Sequence, residues 1–446
     1  MHLLLTFGLL FSGALSHPLV LQNITIEVPL GTSNHNDRHL LCRPTLASDL
    51  AAFFLGNYVA HAATLKGLPG QPPLQSFLDL LFALLFPVSG IVRGMNAIYG
   101  VAAFQKTPLT RALKAGALCE LVRTEKWQPK PGDCIRNLRL FKKRREAINQ
   151  DEAEIVELES LPREERRPPP VTLCVKENDR LLIHATPHFD PVDDWTGTSG
   201  RQVHGNYRIP QGYALAILRT SFPYPQSPGS HSVGSSQISS SYSLSKGVIA
   251  IFQLVFASFT LVRTKGDQID RYGCAAFGLT VSPYLIMSFV NLLSALLCPD
   301  YSHVYLVSSE AMSEAKSREG CLNRSYVAIP STSTPTDLSS LQQDFTRSTI
   351  LAYASVLVGC FPLIVVGGLS KFRREHSSVA QLAFTMSWLA TGIVVGPIIH
   401  FIPYASRFSK SKVGKLGLLL YSAPTVGGMI VVGKMIQEYG TCIRIY

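Results

Sequence analysis

The stretch that decides the fold is residues 273–297, which read GCAAFGLTVSPYLIMSFVNLLSALL. It carries no charged side chain, and its length is sufficient for a helix to cross the hydrocarbon core of a bilayer, which is about 30 Å thick. A helix is stable in lipid because each backbone N–H finds its carbonyl partner within the segment. The chain is therefore predicted to be an integral membrane protein.

Other apolar segments extend this prediction to a helical bundle. They are bounded by linkers that carry charge, proline or glycine, as loops between spans do. The segments are 247–262, 349–369, 379–402 and 413–435.

Two less regular candidates precede these segments. The segment 46–65 carries Asp49, Asn57 and His61 on one helical face, so it is expected to span only inside a protein interior. The segment 76–92 contains a proline that is expected to kink it. With both counted, the chain has about seven spans, and the predicted fold class is mainly α, a polytopic transmembrane helical bundle.

A long polar region separates the second and third predicted spans. Within it, 108–123 has the pattern of an amphipathic helix and 212–219 that of a strand, which predicts an α/β loop domain. The predicted divisions are a signal peptide (1–16), a luminal N-terminal segment (17–45), the first two spans (46–104), the polar domain with its Ser-rich linker (105–246), a span pair (247–298), an extramembrane loop (299–348) and three C-terminal spans (349–446).

The N-terminus is interpreted as a secretory signal. Residues 1–16 have a short apolar core that ends in the small-x-small sequence Ala-Leu-Ser, although the absence of a basic residue keeps an uncleaved anchor open. Glycosylation acceptors follow at Asn23 and Asn323, each in an Asn-x-Ser/Thr sequence. The chain is thus expected to be a glycoprotein of the secretory pathway, in the endoplasmic reticulum, plasma membrane or vacuole.

A luminal N-terminus followed by seven spans places 105–246 and 299–348 in the lumen and the C-terminus in the cytosol. Six cysteines then face or border the oxidising side, while Cys442 remains cytosolic. The basic run KKRR at 142–145 opposes this orientation, since positive charge favours the cytosolic side. If 46–65 does not span, every later segment inverts. The possible disulfide cysteines are Cys42, Cys119, Cys134, Cys174, Cys298 and Cys321.

The composition agrees with a membrane protein. Hydrophobic residues make up 46% of the chain and charged residues 16%, and the formal net charge is +11. A positive charge suits contact with anionic lipid, whereas no helix-turn-helix, zinc-finger or RNA-binding pattern accompanies it. We therefore expect membrane lipids as partners and no nucleic acid.

No metal or cofactor site is predicted. The densest set of ligand-type side chains is interrupted by prolines, so the two histidines cannot stack on one helix, and a polar turn-rich loop accounts for it. Motifs for serine hydrolases, zinc proteases, nucleotide hydrolases and dinucleotide enzymes are absent from the sequence. The set comprises His184, His188, Asp190, Asp193 and Asp194.

Polar side chains inside the predicted spans are the better functional candidates. Burying an ionisable group in lipid costs several kcal/mol unless the group faces a partner or water. No catalytic residue is assigned, and the acid/base candidates are Asp49, His61 and His400. Tyr284, Ser288 and Asn291 share one face of the decisive segment and add hydrogen-bonding capacity.

Two stretches carry a resemblance to a known group. Residues 204–213, HGNYRIPQGY, and 264–284, TKGDQIDRYGCAAFGLTVSPY, are similar to multi-spanning integral membrane proteins of filamentous fungi, most of which have no assigned function. The resemblance implies a fungal source and the membrane class. Some members of such groups lie near secondary-metabolite genes, which implies a link to secondary metabolism, but no catalytic residue transfers.

The leading functional prediction is a transport or accessory component that handles an apolar or amphipathic small molecule. One alternative is a membrane-embedded enzyme that uses intramembrane Asp and His groups. The other is a receptor whose outer lobe, 105–246, binds a ligand.

Overall fold

The computed structural model describes the chain in several stretches and is mainly helical. The described residues are 27–35, 38–124, 127, 134–135, 140–141, 173–174, 190–191, 201–205, 209–218, 238–319, 338–401 and 421–444.

The helices are numbered here in chain order. A π-helix at Leu55–Val59 joins the first helix to the second without a break. The helices are α1 (Ala47–Phe54), α2 (Ala60–Ala63), α3 (Pro73–Leu85), α4 (Pro87–Gly100), α5 (Pro108–Lys114), α6 (Leu244–Thr264), α7 (Asp267–Tyr272), α8 (Ser282–Leu297), α9 (Glu310–Glu319), α10 (Leu338–Ser370), α11 (Val379–Phe401) and α12 (Ala423–Tyr439).

The strands are short and form three small sheets. β1 pairs with β9, β3 pairs with β5, and β2 lies at the centre of the third sheet, between β7 on one edge and β4 and β8 on the other. The strands are β1 (Leu40–Arg43), β2 (Leu118–Thr124), β3 (Cys134–Ile135), β4 (Leu140–Phe141), β5 (Leu173–Cys174), β6 (Asp190–Pro191), β7 (Tyr213–Ile217), β8 (Tyr305–Val307) and β9 (Thr441–Arg444).

Three described helices are long and apolar enough to cross a membrane: Leu244–Thr264, Phe277–Leu297 and Thr349–Ser370. The middle one is the central helix, since 67% of its apolar window is buried, against 22% and 28% for the other two. It contains the stretch that decided the prediction, although residues 273–281 form two 3₁₀ turns before α8 begins. Membrane-spanning helices are thereby supported, and the count of seven stays a prediction.

The predicted kink is a sharp reversal. The helices α3 and α4 together are long and apolar enough for one span, but they bend by 119° between Leu85 and Pro87. Proline has no N–H to continue the helical hydrogen bonds, and it occupies the first position of α4, where that N–H is not needed. We call α3 and α4 the hairpin.

Both ends of the hairpin lie at the same end of the bundle. Just before α3, the Gly70 N–H donates to the Tyr301 carbonyl (3.3 Å). Just after α5, the Ala117 carbonyl accepts from the Tyr305 N–H (2.8 Å), and β2 continues this pairing along β8. The end of α4 packs against the end of α5, since Gly100 lies against the Lys114 carbonyl. The chain therefore enters the hairpin beside residue 301 and, after α5, returns to residue 305.

The bundle has two distinct ends. At one, β1 and β9 pair antiparallel and a disulfide joins Cys42 to Cys442; we call this the clasp. The turn after α10 lies at the clasp end too, because the Cys274 N–H donates to the Arg373 carbonyl (2.8 Å). α8 leads from there to the lobe end, where β2, β7 and β8 form a sheet with its own apolar core.

The lobe end corrects one predicted helix. The amphipathic pattern over 108–123 yields a helix only as far as Lys114, and Gly116, at φ +71°, turns the chain into β2. Both faces of β2 contribute to apolar clusters of the lobe, Cys119 and Leu121 to one cluster and Leu118 and Val122 to the other. The predicted strand over 212–219 is present as β7.

Candidate functional site

A group of buried polar side chains lies between α2 and α8. The Nδ1 atom of His61 lies 2.7 Å from the Ser288 hydroxyl oxygen, and both residues are fully buried. Thr64 donates to the His61 carbonyl (2.7 Å), and the side-chain amide of Asn291 donates weakly to Thr64 (3.4 Å). We call His61, Thr64, Ser288 and Asn291 the polar cluster.

The polar cluster keeps unused hydrogen-bonding capacity. Within the described part of the chain, His61 Nε2 and Asn291 Oδ1 have no hydrogen-bond partner. Buried polar atoms are nearly always paired, so each unpaired one calls for an explanation, such as a bound water, an ion or a functional role. His61 is thus an ionisable group inside an apolar bundle with one ring nitrogen available.

The hairpin packs directly against this cluster. Gly94 of α4 lies so close to α8 that a Cβ at this position would be 3.0 Å from Asn291 Oδ1 and 2.7 Å from Val290. Gly90, one turn earlier, is equally close to Met287. Small residues allow the two backbones to approach, and the hairpin therefore forms one wall of the polar cluster.

The reversal of the hairpin exposes backbone carbonyls that side chains from other helices satisfy. The Tyr284 hydroxyl of α8 donates to the Leu84 carbonyl, and the Thr425 hydroxyl of α12 donates to the Leu85 carbonyl (3.0 Å). A broken helix is tolerated at membrane depth only when its freed groups are re-satisfied in this way.

An ion pair joins the two arms of the hairpin. Arg93 of α4 donates to Asp79 Oδ2 of α3 (2.6 Å) and to the side-chain oxygen of Gln71 (2.9 Å). Gln71 in turn donates to Asp79. The guanidinium is 9% exposed, so its charge is neutralised where it is buried. In the sequence Asp79 and Arg93 each interrupt an apolar run, and only the structure pairs them.

A second buried cation lies where the bundle meets the lobe. Lys66 donates to the Cys298 carbonyl (2.5 Å) and to the Asp300 carboxylate, and only 7% of its side chain is exposed. Lys246 lies 3.6 Å from the other oxygen of Asp300. These contacts tie the start of α6 to the end of α8.

The structure brings together some of the predicted candidates and separates others. Ser288 and Asn291 share one face of α8, and His61, which the sequence placed on a separate face with Asp49 and Asn57, meets them there. Asp49 lies at the clasp end, where Arg43 and Thr441 bind its carboxylate, and 12 helical positions put it about 18 Å from His61. The side chain of His400 lies outside the described residues.

The cysteine pattern differs from the sequence analysis. Cys42 bonds to Cys442, which the predicted topology placed in the cytosol, and Cys119 and Cys298 are free thiols. Cys134 and Cys174 lie in register on the β3–β5 ladder. Seven spans would have separated Cys42 and Cys442 by the width of the membrane. Cys321, Asn23, Asn323 and most of the His/Asp-rich set at 184–194 fall outside the described residues.

No family model, curated protein or solved structure matches this chain. The resemblance to fungal membrane proteins therefore stays a prediction. The fold and site define the class as a helical membrane protein with a polar cluster in its interior.

Proposed function

We propose that the chain is a multi-pass membrane protein with six complete spans and one re-entrant hairpin. One observation carries this proposal: the chain enters the hairpin beside residue 301 and, after α5, returns to residue 305. It then contributes no crossing, and the predicted seven become six. The six spans are the continuous helix 47–63, α6, Phe277–Leu297, Thr349–Ser370, α11 and α12.

The clasp supports an even number of spans. Residues before the first span and after the last lie on the same side of a membrane only if the number of crossings is even. The clasp supports this arrangement, because β1 precedes the first proposed span, β9 follows the last, and the two strands pair.

The sulfur chemistry supports an orientation. Disulfides persist in oxidising compartments, which supports a clasp end in the lumen or at the cell exterior. Cys119 and Cys298 are both free at the lobe end, as expected of a reducing cytosol. The lobe is then cytosolic, opposite to the sequence expectation, and the basic run at 142–145 follows the positive-inside rule.

Glycan mapping tests this orientation. Asn23 is expected to be glycosylated and Asn323 is not, so glycosidase should change the mobility of wild type and Asn323→Gln but not of Asn23→Gln. A glycan on Asn323 would contradict a cytosolic lobe end.

Cysteine labelling in sealed vesicles is the independent control. A membrane-impermeant maleimide should reach Glu375→Cys and Ser409→Cys from opposite sides, since the chain crosses once between them as α11. Burial raises the pKa of the Cys119 thiol, so Cys119 should stay unlabelled from either side. Labelling of both introduced cysteines from one side would contradict the six-span topology.

We further propose that this protein is a transport or accessory component for an apolar or amphipathic small molecule, with the polar cluster as its proton-binding site. Transporters build their sites from broken helices near the midplane, and the polar cluster is walled by one. His61 Nε2 accepts a proton once the hairpin moves and admits water. The enzyme alternative is weaker because Asp49 is too far from His61 to act with it.

Uptake by proteoliposomes tests the transport proposal. With an imposed proton gradient, wild-type protein should accumulate rhodamine 6G, an amphipathic cation, or a fluorescently labelled decanoate, an amphipathic anion, faster than protein-free liposomes. His61→Gln keeps a hydrogen-bonding group beside Ser288 but cannot take up the proton, and it should abolish gradient-driven uptake.

A matched control removes a polar group that faces away from the site. Ser258 is exposed on α6 and hydrogen-bonds only within its own helix, so Ser258→Ala should transport like wild type. Size-exclusion profiles identify variants that fail to fold. Wild-type rates equal to those of empty liposomes for both probes, or full transport by folded His61→Gln, would contradict the proposal.

A further inference from the structure

A compact group of metal-ligand side chains lies at the clasp, outside the polar cluster. His35 comes from the N-terminal segment, Cys42 from β1, Cys442 from β9 and Asp267 from the start of α7. The ligand atoms of His35, Cys42 and Cys442 all lie within 4.8 Å of one another. The Asp267 carboxylate is 3.1 Å from His35 Nδ1.

These separations match the edges of a zinc tetrahedron. With Zn–N, Zn–S and Zn–O bonds of about 2.1, 2.3 and 2.1 Å, two ligand atoms are separated by about 3.6 Å for an N···S edge and about 3.4 Å for an N···O edge. His35 Nδ1 lies 3.6 Å from Cys42 Sγ and 3.1 Å from Asp267 Oδ2. Two edges are therefore already close to the required length.

Among the other four edges, the one between the two sulfurs is occupied by a covalent bond. Thiolates bind Zn²⁺, whereas a disulfide sulfur has no negative charge to offer it. We propose that reduction of the Cys42–Cys442 disulfide converts the clasp into a Zn²⁺ site with His35, Cys42 and Cys442 as ligands, and with the Asp267 carboxylate, which already contacts His35 Nδ1, as the fourth ligand once it moves toward the sulfurs.

The reduction needs a dithiol reductant, such as a dithiol oxidoreductase. Its thiolate attacks Cys442 Sγ, because Cys442 is partly exposed whereas Cys42 is only 2% exposed. The sulfur–sulfur bond breaks and Cys42 leaves as a thiolate. The second reductant thiol then closes the reductant's own disulfide and releases Cys442, so that two electrons pass to the clasp cysteines. Zn²⁺ displaces any proton on the two sulfurs and on His35 Nδ1.

Either state of the site holds the chain ends together. In the oxidised form the covalent bond joins residues 400 positions apart, and in the reduced form the metal bridges the same strands. Asp267 also connects both strands to the start of α7, since His35 contacts its carboxylate. The proposal rests only on these four residues and is independent of the transport function.

Cobalt titration of the full-length protein tests the site, because Co²⁺ takes the same ligands and reports them in its spectrum. After reduction with a phosphine and anaerobic desalting, one Co²⁺ per chain should bind with thiolate charge-transfer absorption and the visible bands of tetrahedral cobalt. Added Zn²⁺ should remove both signals. Unreduced protein should show neither.

Variants identify the ligands. Cys442→Ser should lose the charge-transfer absorption of a two-thiolate site, and Asp267→Asn should weaken binding by about 10- to 100-fold. Cys360→Ser removes a thiol on α10 that lies outside the site and should bind like wild type. His35→Gln keeps the cysteine pair, so its oxidised form should still fold. No tetrahedral cobalt spectrum in reduced wild type, or an unchanged one in Cys442→Ser or folded His35→Gln, would overturn the proposal.

Discussion

Replacing Arg93 with alanine is expected to destabilise the protein by about 1–3 kcal/mol, less than the cost of about 3–5 kcal/mol for a fully buried ion pair because the Asp79 side chain is 27% exposed. The variant leaves the Asp79 carboxylate inside the hairpin without its cation, and it removes the guanidinium that also binds Gln71. The main loss is the buried guanidinium with its hydrogen bonds, because the Asp79 side chain itself stays partly exposed. The expected readout is a large fall in the thermal midpoint of the detergent-purified protein.

Arg43→Ala is the matched control for this prediction. Arg43 also pairs with an aspartate, Asp49, at 2.9 Å, but its side chain is 37% exposed against 9% for Arg93. Exposed pairs contribute little because water solvates both partners, so Arg43→Ala should lower the thermal midpoint much less than Arg93→Ala. Equal shifts in the thermal midpoint of the two variants would mean that the Arg93–Asp79 pair is solvated and that it does not hold α3 and α4 together.

Gly273→Ala is expected to be at least as damaging, because a side chain at this position would overlap backbone. The added Cβ would lie 2.1 Å from the Arg373 carbonyl oxygen and 2.8 Å from the Arg374 carbonyl carbon. The neighbour is backbone and cannot rotate away. Overpacking of this kind typically costs about 1–3 kcal/mol or more. It is added to the strain of an L-residue at φ +56°.

Gly266→Ala separates strain from overlap. Gly266 flanks the other end of α7 with nearly the same ψ and also has a positive φ, +102°, but no atom lies within 4 Å of its added Cβ. It should therefore show only the strain, about 1–3 kcal/mol. If both variants gave the same thermal midpoint and the same yield of monodisperse protein, the close contact between α7 and the turn after α10 would be contradicted.

Local patterns predicted much of the helical structure. Uncharged runs predicted the membrane helices, because a long apolar segment satisfies its own backbone only as a helix. Pro87 predicted the bend, because proline lacks the N–H that would continue the helical hydrogen bonds and this effect is local to the proline. The i, i+4, i+7 spacing of Tyr284, Ser288 and Asn291 predicted one face, and Ser288 and Asn291 do meet the α2 segment there.

Other features depended on contacts between distant parts of the chain. A kinked span and a reversed hairpin have the same local sequence, and only the return of the chain to 301–305 after the hairpin and α5 distinguishes them. The pairing of Cys42 with Cys442 could not be chosen from nine cysteines, because sequence carries no information on which thiols meet. The predicted helix 108–123 was too long, because an amphipathic pattern carries no information about the strands that pair with Leu118–Thr124.

By itself, the sequence determined the membrane class, the main helical segments and the polar face that includes His61, because apolar length and helical periodicity are properties of consecutive residues. Tertiary structure decided the reversal of the hairpin, the partner of each buried charge and the cysteine pair of the clasp. These depend on which segments share an environment, and burial makes unpaired charges and unsatisfied carbonyls too costly to remain. The proposed topology follows from those pairings. If the hairpin does not cross the membrane, the chain makes six crossings in place of seven, and the lobe lies on the side opposite to the one that the sequence predicted.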